Sequence, residues 1–142
     1  MNASKLLLVV ALSALSINIS TGAPSAKQVR EVADHLQDVS VTIKSNSNRS
    51  SSEGSGAMII REIDGKKVTF VWTAAHVVDN LRNVRSVIEK GSPRKIVEFD
   101  DASIVKELVE KGRRVGEMKM DAKVIKYSNA DDGHDLALLM VR

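Results

Sequence analysis

Residues 57–78 read AMIIREIDGKKVTFVWTAAHVV, and their pattern sets the fold class. Ala57 to Ile63 is rich in apolar residues, and Asp64-Gly65 is a dipeptide suited to the positive φ angles of a two-residue hairpin turn. Lys66 to Trp72 alternates, with Val68, Phe70 and Trp72 on one face, the period of a strand. A hairpin is predicted. From Ala74 the alternation gives way to Val77, Leu81, Val84 and Ile88 at helical steps. A helical segment is predicted to begin at Ala74, with Gly91 and Pro93 ending it.

The pattern continues on both sides. Upstream, Ser25-Ala-Lys-Gln28 has the spacing of a capping box, and Val29, Val32, Ala33, Leu36 and Val39 recur at helical steps, predicting a short helix over 26–38. Val39, Val41 and Ile43 then alternate as a strand. Residues 45–56, SNSNRSSSEGSG, carry no core-forming side chain and read as a loop. Downstream, Lys95 to Phe99 reads as a strand. Asp101 to Lys111 reads as a second helix, with Ile104, Val105, Leu108 and Val109 apolar and Gly112 as its stop. A long strand is outlined by Met118, Met120, Ala122 and Val124, extending to Tyr127. After a turn at Asn129 to Gly133, Leu136 to Val141 forms a last apolar strand. About six short strands, tight turns and no regular strand-helix alternation predict a mainly β barrel or sandwich.

Composition narrows the function classes. The 142 residues suffice for one compact domain. Lys5, an apolar run from Leu6 to Ile19, and small residues around Gly22 to Ala26 follow the order of a secretory signal. Residues 1–26 are therefore expected to be removed, with the product secreted or periplasmic and no membrane attachment after cleavage. The run is too short to span a bilayer, which needs roughly 20 apolar residues. Of 21 basic and 18 acidic residues, that segment holds only Lys5, leaving a balance of +2 in which the basic residues are scattered. A nucleic-acid partner is not expected. Cysteine is absent, which excludes thiol catalysis and thiolate zinc sites, and no cofactor or metal is expected.

Three places carry more than packing requires. His76 follows an apolar strand beside two alanines. Asp135 stands directly before the apolar strand DLALL. Gly54-Ser-Gly56 leads into the first hairpin. A histidine becomes an efficient general base when a carboxylate holds its Nδ1–H, fixing the tautomer and stabilising the imidazolium. Asp131 and Asp132 compete for the carboxylate role but lack the apolar strand that follows Asp135. His134 and His35 read as surface residues.

In this order, TAAHVV at 73–78 and DLALL at 135–139 resemble the His and Asp motifs of the trypsin-like, chymotrypsin-fold serine peptidases. GSGAMII at 54–60 and KKVTFVWTAAHVV at 66–78 resemble the hairpin that leads to the family's histidine. Many members carry a cysteine where Val77 stands, so the likeness is to the cysteine-free bacterial branch that includes the Deg-type secreted peptidases. The resemblance covers about residues 39–142. It implies that His76 is the general base and Asp135 its orienting carboxylate. It also implies that 27–142 form the N-terminal six-stranded β-barrel of a two-barrel fold, with a short N-terminal helix and one inserted helix. A protein or peptide would be the substrate. In that family the nucleophile lies in a Gly-x-Ser-Gly-Gly segment of the second barrel, and no such segment occurs in these 142 residues. The chain is therefore expected to be an incomplete peptidase domain, its second barrel missing, and inactive alone. The alternatives are a non-catalytic barrel of the same type with a binding or structural role, and a metal hydrolase built on His76, His134 and Asp135; oligomeric state is not legible.

Overall fold

A computed structural model describes residues 23–129, 131 and 133–142; most of the expected signal segment lies outside these residues. Among the described residues the chain is mainly β, with one α-helix, α1 (Ala26–Val39). The strands are β1 (Ser40–Asn46), β2 (Ser51–Ile63), β3 (Lys66–Thr73), β4 (Arg82–Glu89), β5 (Ser92–Phe99), β6 (Ala102–Glu110), β7 (Arg113–Ser128) and β8 (Leu136–Val141). Two single 3₁₀ turns, Ala75–Val77 and Asp79–Leu81, join β3 to β4.

Six strands pair antiparallel in the order β1-β2-β3-β8-β7-β6, and β6 returns to β1 through Thr42–Val105, closing the ring. Closure leaves these strands no free central edge. Alternate residues point inward: Val41 and Ile43 from β1, Val71 from β3, Ile104 from β6, Ala122 and Val124 from β7, and Ala137 and Leu139 from β8. Val77, Val78 and Leu81 of the 3₁₀ turns join this core. On β3 the inward face is Val71 and Thr73, so Val68, Phe70 and Trp72 form the outer face. A slip in pairing between Val124 and Lys126 sets Ile125 aside as a bulge and lets the long β7 bend.

Three expectations are corrected. The inserted helix over 101–111 is strand β6. Its doublets Ile104-Val105 and Leu108-Val109 fit a helical step, but Ala102 and Ile104 fill the barrel while Val105 is buried on the other side. A strand covered on both faces loses the simple alternation that would have marked it. The helical run through Val84 and Ile88 becomes β4, which pairs only with β5 in a separate two-stranded sheet, and Ile88 stands 83 % exposed. Its apolar residues were spaced as if for a core that the segment does not reach.

The loop over 45–56 shrinks to a turn at 47–50. There Ser47 N–H donates to the Ser50 carbonyl at 2.9 Å, and Ser45 pairs with Ser52 and Asn46 with Ser51. The helix over 26–38 is α1, with both capping-box bonds between Ser25 and Gln28 in place. None of its residues is buried.

Candidate active site

Close packing fixes His76 onto its turn. Thr73 ends β3 buried, its Oγ1 donating to the Ser55 carbonyl at 2.9 Å. Ala74 is extended, and Val77 N–H then reaches back to its carbonyl at 3.2 Å. Ala75 and Val77 are buried on either side of His76, so the histidine is the member of the turn directed outward. Val77 lies directly over Gly54, where an added Cβ would come within 2.4 Å of Val77 Cγ2. The buried Ser45 Oγ donates to the Val77 carbonyl at 2.5 Å, and Asn80 Nδ2 donates to the Ser45 and Ser50 carbonyls at 2.8 and 3.1 Å. The small residues of 45–56 are the seat on which the His76 turn rests.

Asp135 is held at the entry to β8, the strand paired with β3. Its φ is +39°, a left-handed conformation uncommon for a residue other than glycine, and aspartate is among the residues that tolerate it best. Its N–H donates to the Asn129 carbonyl at 3.4 Å. The strand that follows is anchored by the fully buried Leu139.

His76 and Asp135, 59 residues apart in sequence, meet here. His76 Nδ1 lies 2.8 Å from Asp135 Oδ2, and the His76 backbone N–H donates to Oδ1 at 3.0 Å. The carboxylate thus grips both the ring and the main chain of one residue. A carboxylate can only accept, so Nδ1 carries a proton, and in the neutral ring Nε2 then presents the lone pair. The His76 side chain is 70 % and that of Asp135 35 % exposed.

The hydrogen bond from the His76 ring, followed by that from its backbone, holds the Asp135 carboxyl below its ordinary value. A depressed carboxylate stabilises the fold above the ordinary value near 3.9, and that contribution disappears as pH falls through the folded-state value. A side-chain carbon NMR titration is expected to place the Asp135 midpoint below about 3.9, and His76→Ala to bring it back up. An unshifted midpoint in both proteins would contradict the pairing.

The pair opens onto a cleft of about 260 Å³, also lined by Asp79, Arg82, Tyr127 and Asp131. Tyr127 O–H donates to Asp79 Oδ1 at 2.6 Å. Its ring lies 5.0 Å from that of Phe99 at 46°, with the Arg82 guanidinium 5.7 Å from its centroid. Burial, then the bond to Asp79, pushes the Tyr127 phenol up to about 12. Sequence reading treated Tyr127 only as the end of a strand and did not single out Asp79.

Other sequence candidates fall elsewhere. Asp131 lines the cleft but has no bond to His76 among those found, whereas Asp132 lies outside the described residues. His134 is exposed beside Trp72, Leu136 and Leu138 on the outer barrel face, and His35 is exposed on α1. Ser55 is in β2, pairing with Thr42. Among the described residues no three or more His, Asp or Glu side chains converge to hold a metal, and no helix is long and apolar enough to cross a membrane. Comparison with protein-family models, curated proteins and solved structures finds no match to the chain.

Proposed function

We propose that this chain supplies the general base and its orienting carboxylate to a secreted trypsin-like serine endopeptidase. The observation that carries the reading is the double grip of Asp135 on His76, at 2.8 Å to the ring and 3.0 Å to the backbone. It sets the tautomer with Nε2 free of the proton, the state in which an imidazole takes a proton from a serine hydroxyl. Asp135 would then stabilise the imidazolium without itself becoming protonated, and His76 would return the proton to the leaving amine. The closed six-stranded ring, with His76 after β3 and Asp135 before β8, further supports the reading of this unit as the first barrel of a two-barrel peptidase.

The nucleophile and oxyanion donors would come from a second domain, because no Gly-x-Ser-Gly-Gly segment is present in this sequence. The exposed His76 side chain fits a site completed from outside this barrel. The encoding frame, read beyond Arg142, is expected to specify such a segment within about one further barrel length. A stop codon directly after Arg142 in an intact gene would contradict the peptidase reading of this product.

A further inference from the structure

His76 and Asp135 sit on separate segments at the barrel mouth, and both side chains reach the solvent. His76 belongs to the 3₁₀ connection after β3, and Asp135 to the residues leading into β8. Their mutual hydrogen bonds are exposed to water and weakly self-sustaining, since exposed ion pairs contribute little. Pairing of Thr73 with Ala137 in β3 and β8 already brings the two segments side by side, and a second tie would fix the finer spacing of the two side chains.

The Tyr127–Asp79 bond connects the same two parts. Asp79 opens the second 3₁₀ turn, three residues after His76. Tyr127 lies on β7 and pairs with Ala137 of β8, two residues after Asp135. The phenolic ring packs against Phe99, with the Arg82 guanidinium over it. At 2.6 Å the hydroxyl-to-carboxylate bond has the length of a strong, charge-assisted contact. The Tyr127 hydroxyl is directed to Asp79 rather than to the His76–Asp135 pair.

The geometry points to Tyr127 as a positioning residue: its bond to Asp79 braces the His76 turn against the β7–β8 pair, at the spacing where His76 Nδ1 reaches the Asp135 carboxylate. The functional weight of this brace rests on the reading of His76 as a general base. Around the imidazole stand Asp79 and Arg82 from the turn-to-β4 segment, Tyr127 from β7, and Asp131 and Asp135 from the β7–β8 connection. Tying Asp79 to the phenol also leaves Asp135 as the carboxylate that engages the ring.

Proton NMR of the whole chain, with nitrogen-15 histidine, reads the brace directly. The His76 Nδ1–H is expected as a downfield resonance, held by the Asp135 carboxylate. Tyr127→Phe, which keeps the ring packing and removes only the hydroxyl, is expected to speed its exchange at least about tenfold or to broaden it away. Asp79→Ala, an exposed change that leaves the aromatic pair untouched, is expected to do the same. Asp79→Asn, which retains a carbonyl acceptor for the phenol, should preserve the signal. In Asp79→Ala the single tyrosine should also titrate below its present value of about 12, because the contribution of Asp79 is lost while that of burial remains. An Nδ1–H signal unchanged in both Tyr127→Phe and Asp79→Ala would overturn the proposal, as would its absence from the unmodified chain. Because no hydrolysis is measured, a failed brace leaves the role of His76 open to its own test, and the reverse also holds.

Discussion

Gly56→Ala is expected to lower the free energy of unfolding by about 1–3 kcal/mol, the range for forcing extra volume into a packed interior. A Cβ built on Gly56 would lie 2.7 Å from Ile43 Cδ1, 2.7 Å from Val71 Cγ1 and 2.8 Å from the Trp72 carbonyl oxygen. The first two atoms belong to fully buried residues and the third to the adjoining strand, so relief requires the barrel itself to move. Gly54→Ala presses instead on Val77, with Cγ2 at 2.4 Å and Cγ1 at 2.9 Å. Valine has a stiff χ1 and cannot turn aside at low cost. The 3₁₀ turn must lift, and His76 with it, so this variant should also weaken the bonds to Asp135. Gly116→Ala serves as the control, since its nearest contact is Leu108 Cδ1 at an ordinary 3.9 Å. Urea unfolding followed by the fluorescence of the only tryptophan, Trp72, measures all three. A Gly56→Ala protein within about 0.5 kcal/mol of the unmodified chain would show that β2 has room that the packing denies.

These glycines also mark where the sequence was hard to read. Gly54 and Gly56 look like loop residues because they lack side chains, yet they lie in β2, where Val77, Ile43 and Val71 approach its backbone. Asp64-Gly65 was legible as a hairpin because the dipeptide is a strong turn former. Lys90-Gly91 and Lys111-Gly112 make turns with the same pair of positive φ angles, near 50° and then 74–81°. Without the aspartate they looked like the glycine stops of helices, a role that uses the same left-handed conformation. Two segments were consequently assigned to helices when their partners across the turn make them strands.

The site was more legible than those elements. His76 and Asp135 could be singled out because each lies beside a run of apolar residues whose end fixes its place. Tyr127 and Asp79 escaped because what joins them is a hydrogen bond between residues 48 apart in sequence, and neither neighbourhood in sequence carries a pattern that records it. The helix α1 shows the opposite limit: its caps and apolar stripe were legible, but nothing in them revealed that Val29, Val32 and Leu36 would stay more than half exposed.

The largest expected effect concerns chemistry. In the two-barrel protein proposed above, which would join this barrel to a serine segment, His76→Ala is expected to slow acylation of the serine by about 10⁴-fold or more, the scale on which triad members act. Without Nε2 the group proposed to take the hydroxyl proton is gone. Asp135→Asn should also be severe, because an amide can offer its N–H₂ to Nδ1, favouring the tautomer with the proton on Nε2. The backbone bond from His76 to the 135 side chain could survive that change, so the variant separates positioning of the turn from control of the proton.

The decisive measurement is the rate at which a fluorophosphonate probe labels that two-barrel protein, compared with its His76→Ala variant under conditions where both are folded. Labelling of the serine in the unmodified protein, and its loss on His76→Ala, is the expected result. Labelling at an undiminished rate after His76→Ala would contradict the assignment of His76 as the base.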